Sequence, residues 1–308
     1  MKKDTIIYHY CSLEALHSII TSKSFWLFSL DSSNDLDETT KAKEIIDKVL
    51  EKEKEKYKSI YKPDNSKQEE FYSLSCTYKK DSALHFNKYA DNDKGVCFGV
   101  DAKVFEKYLK NTLLTKLGLC YFFFPKVIYE NNQKEREIKK YLDERLRYID
   151  QVEKTAPKEI YELLIKDVSP EQNKDFLRKL AYITALSRFK PKLKITNYKD
   201  EAETRMLFCR NLFQVCQNLF KDKSSNFYNS LIRPAEYLNL GNQPEFKVMS
   251  GVIRKCIELK MDKIWYKQPI KEVILGPNCK TEIKEFNEFL EAKGILCKAE
   301  ESNIKNRK

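Results

Sequence analysis

Short apolar and aromatic runs alternate with helix-start signals at both ends of the 308-residue chain, and a Lys/Glu-rich stretch separates the two ends. This alternation constrains the fold more than any other feature. β-branched and aromatic runs bounded by turn residues read as strands. They lie at 5–10, at "SFWLFSL" (24–30), at "EEFYSLSCTY" (69–78), at "GVCFGVD" (95–101) and at "LCYFFFPKVIYE" (119–130), where Pro125 marks an edge or a bulge. Strands resume at 203–209, 246–258 and 270–275, with a last one near 295–299. Helical spacing appears after Ser12, where Leu13, Leu16, Ile19 and Ile20 recur and Glu14 suits the first turn. Further helices are expected over 39–58, 82–90 and 101–110, and from a capped start near Thr281. The 39–58 helix carries only a thin apolar stripe, Ile45, Ile46, Val49 and Leu50, so most of its surface should meet solvent. From about 131 to 190 the chain is charged and helical, with starts at Pro157 and at Ser169-Pro170. The expected architecture is one α+β domain over 1–308, with a helical insertion at about 131–190 and no internal repeat.

Composition narrows the function classes. No apolar run reaches the ~18 residues of a membrane span, and the N-terminus lacks the apolar core and cleavage site of a signal peptide. No membrane partner and a cytoplasmic location are therefore expected. Nine cysteines are scattered without a C-x-x-C pair, and only three histidines are present. That pattern argues against a disulfide framework and a zinc site, and no metal is expected. Buried cysteines in a reducing compartment are the simpler reading; Cys11 beside His9 is the one pair worth testing as a thiol site. The formal charge of +11, from 57 basic and 46 acidic residues, is compatible with a polyanionic partner.

Four stretches carry chemistry. His9 lies between Tyr8 and Tyr10 at a strand–helix seam. "SALHFNKYADNDKGVCFGV" sets Phe86 and Tyr89 three apart on a short helix before a strand. "KDEAETRMLF" places Glu201, Glu203 and Arg205 on one face of a strand by period-two alternation, a costly cluster in a core and a common one in a site. A basic run precedes it, with Lys174, Arg178, Lys179, Arg188, Lys190, Lys192, Lys194 and Lys199 against Asp175. Each also has a plainer reading: a hydrogen-bonded core histidine, core aromatics, a solvated edge strand, and the wet face of a helix. "DSSNDLDE" (31–38) lacks the ligand order and glycine of a calcium loop and reads as turn and cap chemistry. Neither a Gly-rich phosphate loop nor a G-x-S-x-G elbow is present.

"YHYCSLEALHSIITSKSFWLFSLDSSNDLDE", "SLSCTYKKDSALHFNKYADNDKGVCFGVD", "EAETR" and "IKEVILGP", in that order, resemble the bacterial family known as domain of unknown function 2971. Leu36 replaces the proline of that family's Asn-Asp-Pro-x-Glu, with Asn34, Asp35 and Glu38 kept, and Phe86 replaces its tryptophan. A weaker resemblance is to the ADP-ribosyltransferase superfamily, which orders a strand histidine, a small residue and helix, a helix tyrosine and a late-strand glutamate.

The second resemblance implies an ADP-ribosyltransferase-like split sheet that consumes NAD as a substrate. His9 would bond the adenine ribose, with Ser12 following as the small residue, and the Tyr10 backbone would hold the nicotinamide amide. Tyr89, with Phe86, would stack on the nicotinamide ring. Glu203 would bond the nicotinamide ribose and Glu201 would orient the acceptor. Arg205 would clamp a pyrophosphate or neutralise the two glutamates. Arg188, Lys190, Lys192 and Lys194 would bind NAD phosphates or a nucleic-acid acceptor; a protein acceptor is the other option. The expected activity is ADP-ribosyl transfer or NAD hydrolysis, by analogy in a toxin or phage-defence effector. Two alternatives stand: a non-catalytic nucleic-acid-binding or regulatory module, and a metal-dependent nuclease using Asp200, Glu201 and Glu203, which has Arg205 where a lysine is usual.

Overall fold

The computed structural model describes residues 6–30, 37–58, 60, 70–109, 120–129, 131–155, 181–182, 184–185, 188–192, 196–219, 223–249 and 251–304. The chain is α+β, with a mostly antiparallel open sheet. Its first half runs β1 (Ile6–Cys11), α1 (Leu13–Ser22), β2 (Ser24–Ser29), α2 (Asp37–Lys52), α3 (Lys54–Tyr57), β3 (Phe71–Thr77), α4 (Ala83–Tyr89), β4 (Val96–Asp101), α5 (Ala102–Leu109), β5 (Phe122–Phe123) and α6 (Asn131–Thr155). It continues with β6 (Glu203–Cys209), α7 (Arg210–Leu219), α8 (Asn226–Leu231), α9 (Arg233–Tyr237), β7 (Glu245–Met249), β8 (Val252–Lys260), β9 (Ile270–Leu275), α10 (Ile283–Ala292) and β10 (Ala299–Glu301).

The sheet forks at β3. Strand β6 occupies one whole edge of β3, from Phe71↔Cys209 to Thr77↔Glu203. The other edge is shared: β2 pairs at Tyr72 and Ser73, and β1 pairs only at Thr77, opposite Tyr8. Between those contacts Ser75 is exposed, although it lies inside a strand whose other residues are all buried. One arm of the fork continues from β1 through β4 and β9 to β10, the other from β2 through β8 to β7.

Local sequence explains the elements that flank the fork. Ser12 caps α1, its Oγ accepting from the Ala15 amide at 3.2 Å, and Lys23 closes the helix in the left-handed region. Leu16, Ile19 and Ile20 then bury the apolar stripe of α1. On β2, Phe25 and Leu27 are fully buried, while Trp26 and Phe28 project half-buried from the opposite face. A second, smaller core unites the stripe of α2 (Ile46, Val49) with Ile138, Tyr141 and Leu142 of α6 and with Tyr182, Ala185 and Phe189.

Several sequence expectations shift. The helix expected over 39–58 breaks at Glu53, which separates α2 from α3. The 246–258 strand is a hairpin, turned by Gly251 at φ +77°. Strand structure in 119–130 shrinks, among the described residues, to Phe122–Phe123 and single bridges at Lys126 and Ile128. There the Pro125 carbonyl accepts instead from the Arg205 amide and the Thr204 hydroxyl. The last helix begins after Glu282 without a side-chain cap, and the last strand lies at Ala299–Glu301. The expected starts at Pro157 and Ser169-Pro170, and most of "DSSNDLDE", lie outside the described residues.

Candidate functional site

Strand pairing decides which side chains share a face. Thr77 and Ser75 of β3 stand opposite Glu203 and Arg205 of β6, so these four side chains share one face. Tyr8, opposite Thr77, belongs to it, and by alternation so does Tyr10. His9 lies on the other face, opposite Phe98, whose ring it meets edge-on at 5.4 Å.

Glu203 and Arg205, both at most 5% exposed, form a two-pronged ion pair: Nε donates to Oε1 at 2.6 Å and Nη2 to Oε2 at 3.3 Å. Further bonds support it, the Ser75 hydroxyl donating to Glu203 at 3.1 Å and Arg205 Nη1 donating to the Pro191 carbonyl at 2.9 Å. The Glu203 amide donates to the Tyr129 hydroxyl at 3.1 Å. Charge-assisted bonds of this kind hold a carboxylate rigidly.

Glu201 is not on the strand, contrary to the period-two expectation. It ends a 3-10 turn (Thr196–Glu201), and Ala202, in the left-handed region at φ +45°, separates it from β6. The reason lies in tertiary bonds to its carbonyl, which accepts from Thr77 Oγ1 at 2.9 Å and lies 3.0 Å from His85 Nε2. These bonds hold the backbone where Ala202 must take a costly conformation. The Glu201 carboxylate accepts from the Tyr89 hydroxyl at 2.5 Å and lies 3.7 Å from Lys88 Nζ. Burial and the Glu201 carboxylate both push the Tyr89 phenol above its usual range.

α4 presents a different face from the one expected. His85 and Tyr89, one helical turn apart, point toward Glu201, while Phe86 is fully buried against Tyr10, Ala90 and Cys97. Phe86 therefore offers no ring to a ligand; an apolar side chain at this position completes a small core instead. Tyr89 is 46% exposed and does offer one. The sequence reading missed His85, although its four-residue spacing from Tyr89 was the available signal. The His85 ring lies 2.8 Å from Ser82 Oγ and 5.1 Å from the Tyr10 ring centre, and burial lowers its basicity.

At the seam, Ser12 spends its hydroxyl on the α1 cap. Tyr10 acts through its side chain, donating to the Lys79 carbonyl and accepting from the Ser82 amide, both at 2.9 Å. The imidazole of His9 lies 2.7 Å from the Ser75 carbonyl and so ties β1 to β3 across the fork; burial lowers its basicity. The Cys11 thiol is buried and pushed up by that burial, which makes it inert rather than nucleophilic.

The basic run divides. The Arg188 guanidinium stacks on Tyr141, and Lys192 packs over Phe189. Burial and the neighbouring Arg188 lower Lys192 to about 7, which weakens it as a phosphate ligand at neutral pH. Lys190 begins the 3-10 turn Lys190–Lys192; Lys174, Arg178, Lys179 and Lys194 lie outside the described residues. Among the described residues no three His, Cys, Asp or Glu side chains converge to hold a metal ion, and no helix is long and apolar enough to cross a membrane.

No curated protein and no solved structure matches the chain. A family model does match residues 85–206, a segment that opens at His85 and closes just beyond Arg205, so that it contains Tyr89, Glu201 and Glu203 and leaves His9 and Ser75 outside. Over this segment the chain is similar to the family described as protein of unknown function (DUF2971).

Proposed function

We propose that the chain consumes NAD, breaking the bond between nicotinamide and ribose and passing ADP-ribose to an acceptor or to water, on an ADP-ribosyltransferase-like split sheet. One observation carries the reading. Two glutamates, each 5% exposed, are held by different elements beside a fork in the sheet, and a half-exposed tyrosine joins one of them to the surface. Departure of nicotinamide leaves positive charge on the ribose, and a carboxylate that needs no reorganisation stabilises charge that develops only there. Glu203 is assigned that role. Arg205 shares its carboxylate in the ligand-free chain, and a substrate pyrophosphate offers Arg205 a competing two-pronged partner. The exposed Tyr89 ring is assigned to the flat, cationic nicotinamide ring, Glu201 to the acceptor, and His9 to holding the width of the fork. A toxin or defence role would follow from depletion of cellular NAD.

Chromatographic assay of NAD turnover tests this with wild type, Glu203→Gln and Glu201→Gln. Glu203→Gln should lower kcat by about 100-fold or more, the scale of losing one charge-stabilising group. Glu201→Gln should slow transfer to an acceptor more than hydrolysis. Equal turnover by wild type and Glu203→Gln, or no turnover with any acceptor offered, overturns the proposal.

A further inference from the structure

Beside the buried Glu203, the same sheet face opens at Ser75 and carries half-buried aromatic side chains further along. Ser75, exposed, donates to Glu203 from the β3 end of this face. Next to it β2 presents Phe28, whose strand neighbour is Ser73, and then Trp26, both half-buried on the face opposite the core. Beyond them, β8 and β7 bring Arg254 and Lys247 to the same face.

Two features of that hairpin are costly unless an anion is present. Lys247 and Arg254 are directly opposed across the strands, a like-charge pair that destabilises a sheet. Arg254 also keeps its Nε buried with no hydrogen-bond partner, and among the described residues neither cation forms an ion pair. The acids of this face sit elsewhere: Glu245 is opposite Cys256, and Glu258, opposite Trp26, lies 4.0 Å from Lys260. Lys247 rests instead on the Trp26 ring, 3.3 Å from its centre. A phosphate is the stronger partner for Lys247, and drawing it away uncovers the indole face.

We infer that the β2–β8–β7 face is a platform for single-stranded nucleic acid, with bases stacked on Phe28 and Trp26 and phosphates held by Lys247 and Arg254. Flat aromatic rings on an open sheet take any base, and adjacent cations follow the backbone. A duplex hides its base faces and cannot use the rings. The platform ends at Ser75 and Glu203, so a nucleophilic oxygen or nitrogen of the strand it holds would bond the ribose carbon as the bond to nicotinamide breaks, giving its proton to Glu201; that last step rests on the NAD reading above.

Fluorescence anisotropy with a labelled 12-nucleotide single strand tests the surface, with the matching duplex and heparin as controls. Trp26→Ala and Phe28→Ala should each weaken binding about 10-fold, as loss of one stacked base does, and Trp26→Phe should restore most of it. Lys247→Ala and Arg254→Ala should each reduce the salt slope by about 0.7. Circular dichroism and thermal unfolding confirm that each variant is folded. No binding to the strand overturns the inference. So does binding shared equally with duplex and heparin and indifferent to Trp26→Ala. NAD turnover without strand binding removes the platform and leaves the NAD reading intact; strand binding without NAD turnover does the reverse.

Discussion

Arg205 and Glu203 are two residues apart on β6 and reach each other only because the strand sends both to one face. The pair is buried, so its halves are not interchangeable with alanine. Arg205→Ala should cost about 3–5 kcal/mol, because it strands a carboxylate away from water. Replacing both residues with apolar side chains should cost far less. Urea unfolding of the single and double variants measures this, and equal losses would show that the pair is not the source of the cost. Glu203 and Arg205 were legible in the sequence because charged residues at alternate positions of an apolar strand are conspicuous; the same alternation misplaced Glu201, which lies off the strand. His85 was not, because one histidine on a short helix reads as core until Glu201 is seen 3.0 Å from its ring.

Elements are positioned by caps and close approaches that follow from local sequence. Ser12→Ala removes the α1 cap and should cost about 1 kcal/mol. Gly95 matters more: a methyl group there would lie 2.2 Å from the Cys11 carbonyl, where β4 starts beside β1. Gly95→Ala should therefore destabilise by about 3 kcal/mol, the upper range for overpacking. It should also loosen the β1 arm that carries Tyr10 and His9. Thermal unfolding ranks the two variants, and a larger loss from Ser12→Ala would contradict this order. Alternation marked most of these elements, since period two and period 3.6 are local properties. The reading of 246–258 as one strand passed over the Ser250-Gly251 dipeptide, a turn signal closely flanked by Val248, Met249, Val252 and Ile253.

Over the whole molecule, His9 and His85 couple protonation to folding. Burial keeps both imidazoles less basic than in the unfolded chain, so the unfolded state takes up protons first as pH falls. Their contribution is fully present above the ordinary imidazole pKa of about 6.5 and is lost as pH falls below it, each histidine adding at most about 1.4 kcal/mol per pH unit. Partly exposed His9 should add less than His85, which is 3% exposed. Melting temperature should therefore drop between pH 7 and pH 5, and a His85→Gln variant should show a shallower drop. An unchanged slope in that variant would assign the pH dependence to other groups.

The amino-acid sequence by itself determined the strand and helix periods, the α+β class, the cap at Ser12 and the shared strand face of Glu203 and Arg205. These depend on residues near one another in the chain. Tertiary structure alone decided which faces met. It put His9 behind the sheet that carries Glu203, buried Phe86, turned Tyr89 toward Glu201 and forced Ala202 into the left-handed region. It also left Ser75 exposed at the fork, with Phe28 and Trp26 beside it. The reason is that alternation assigns a side chain to one of two faces, but strand order and register decide what lies on each, and partners such as Thr77 and Glu201 are more than a hundred residues apart.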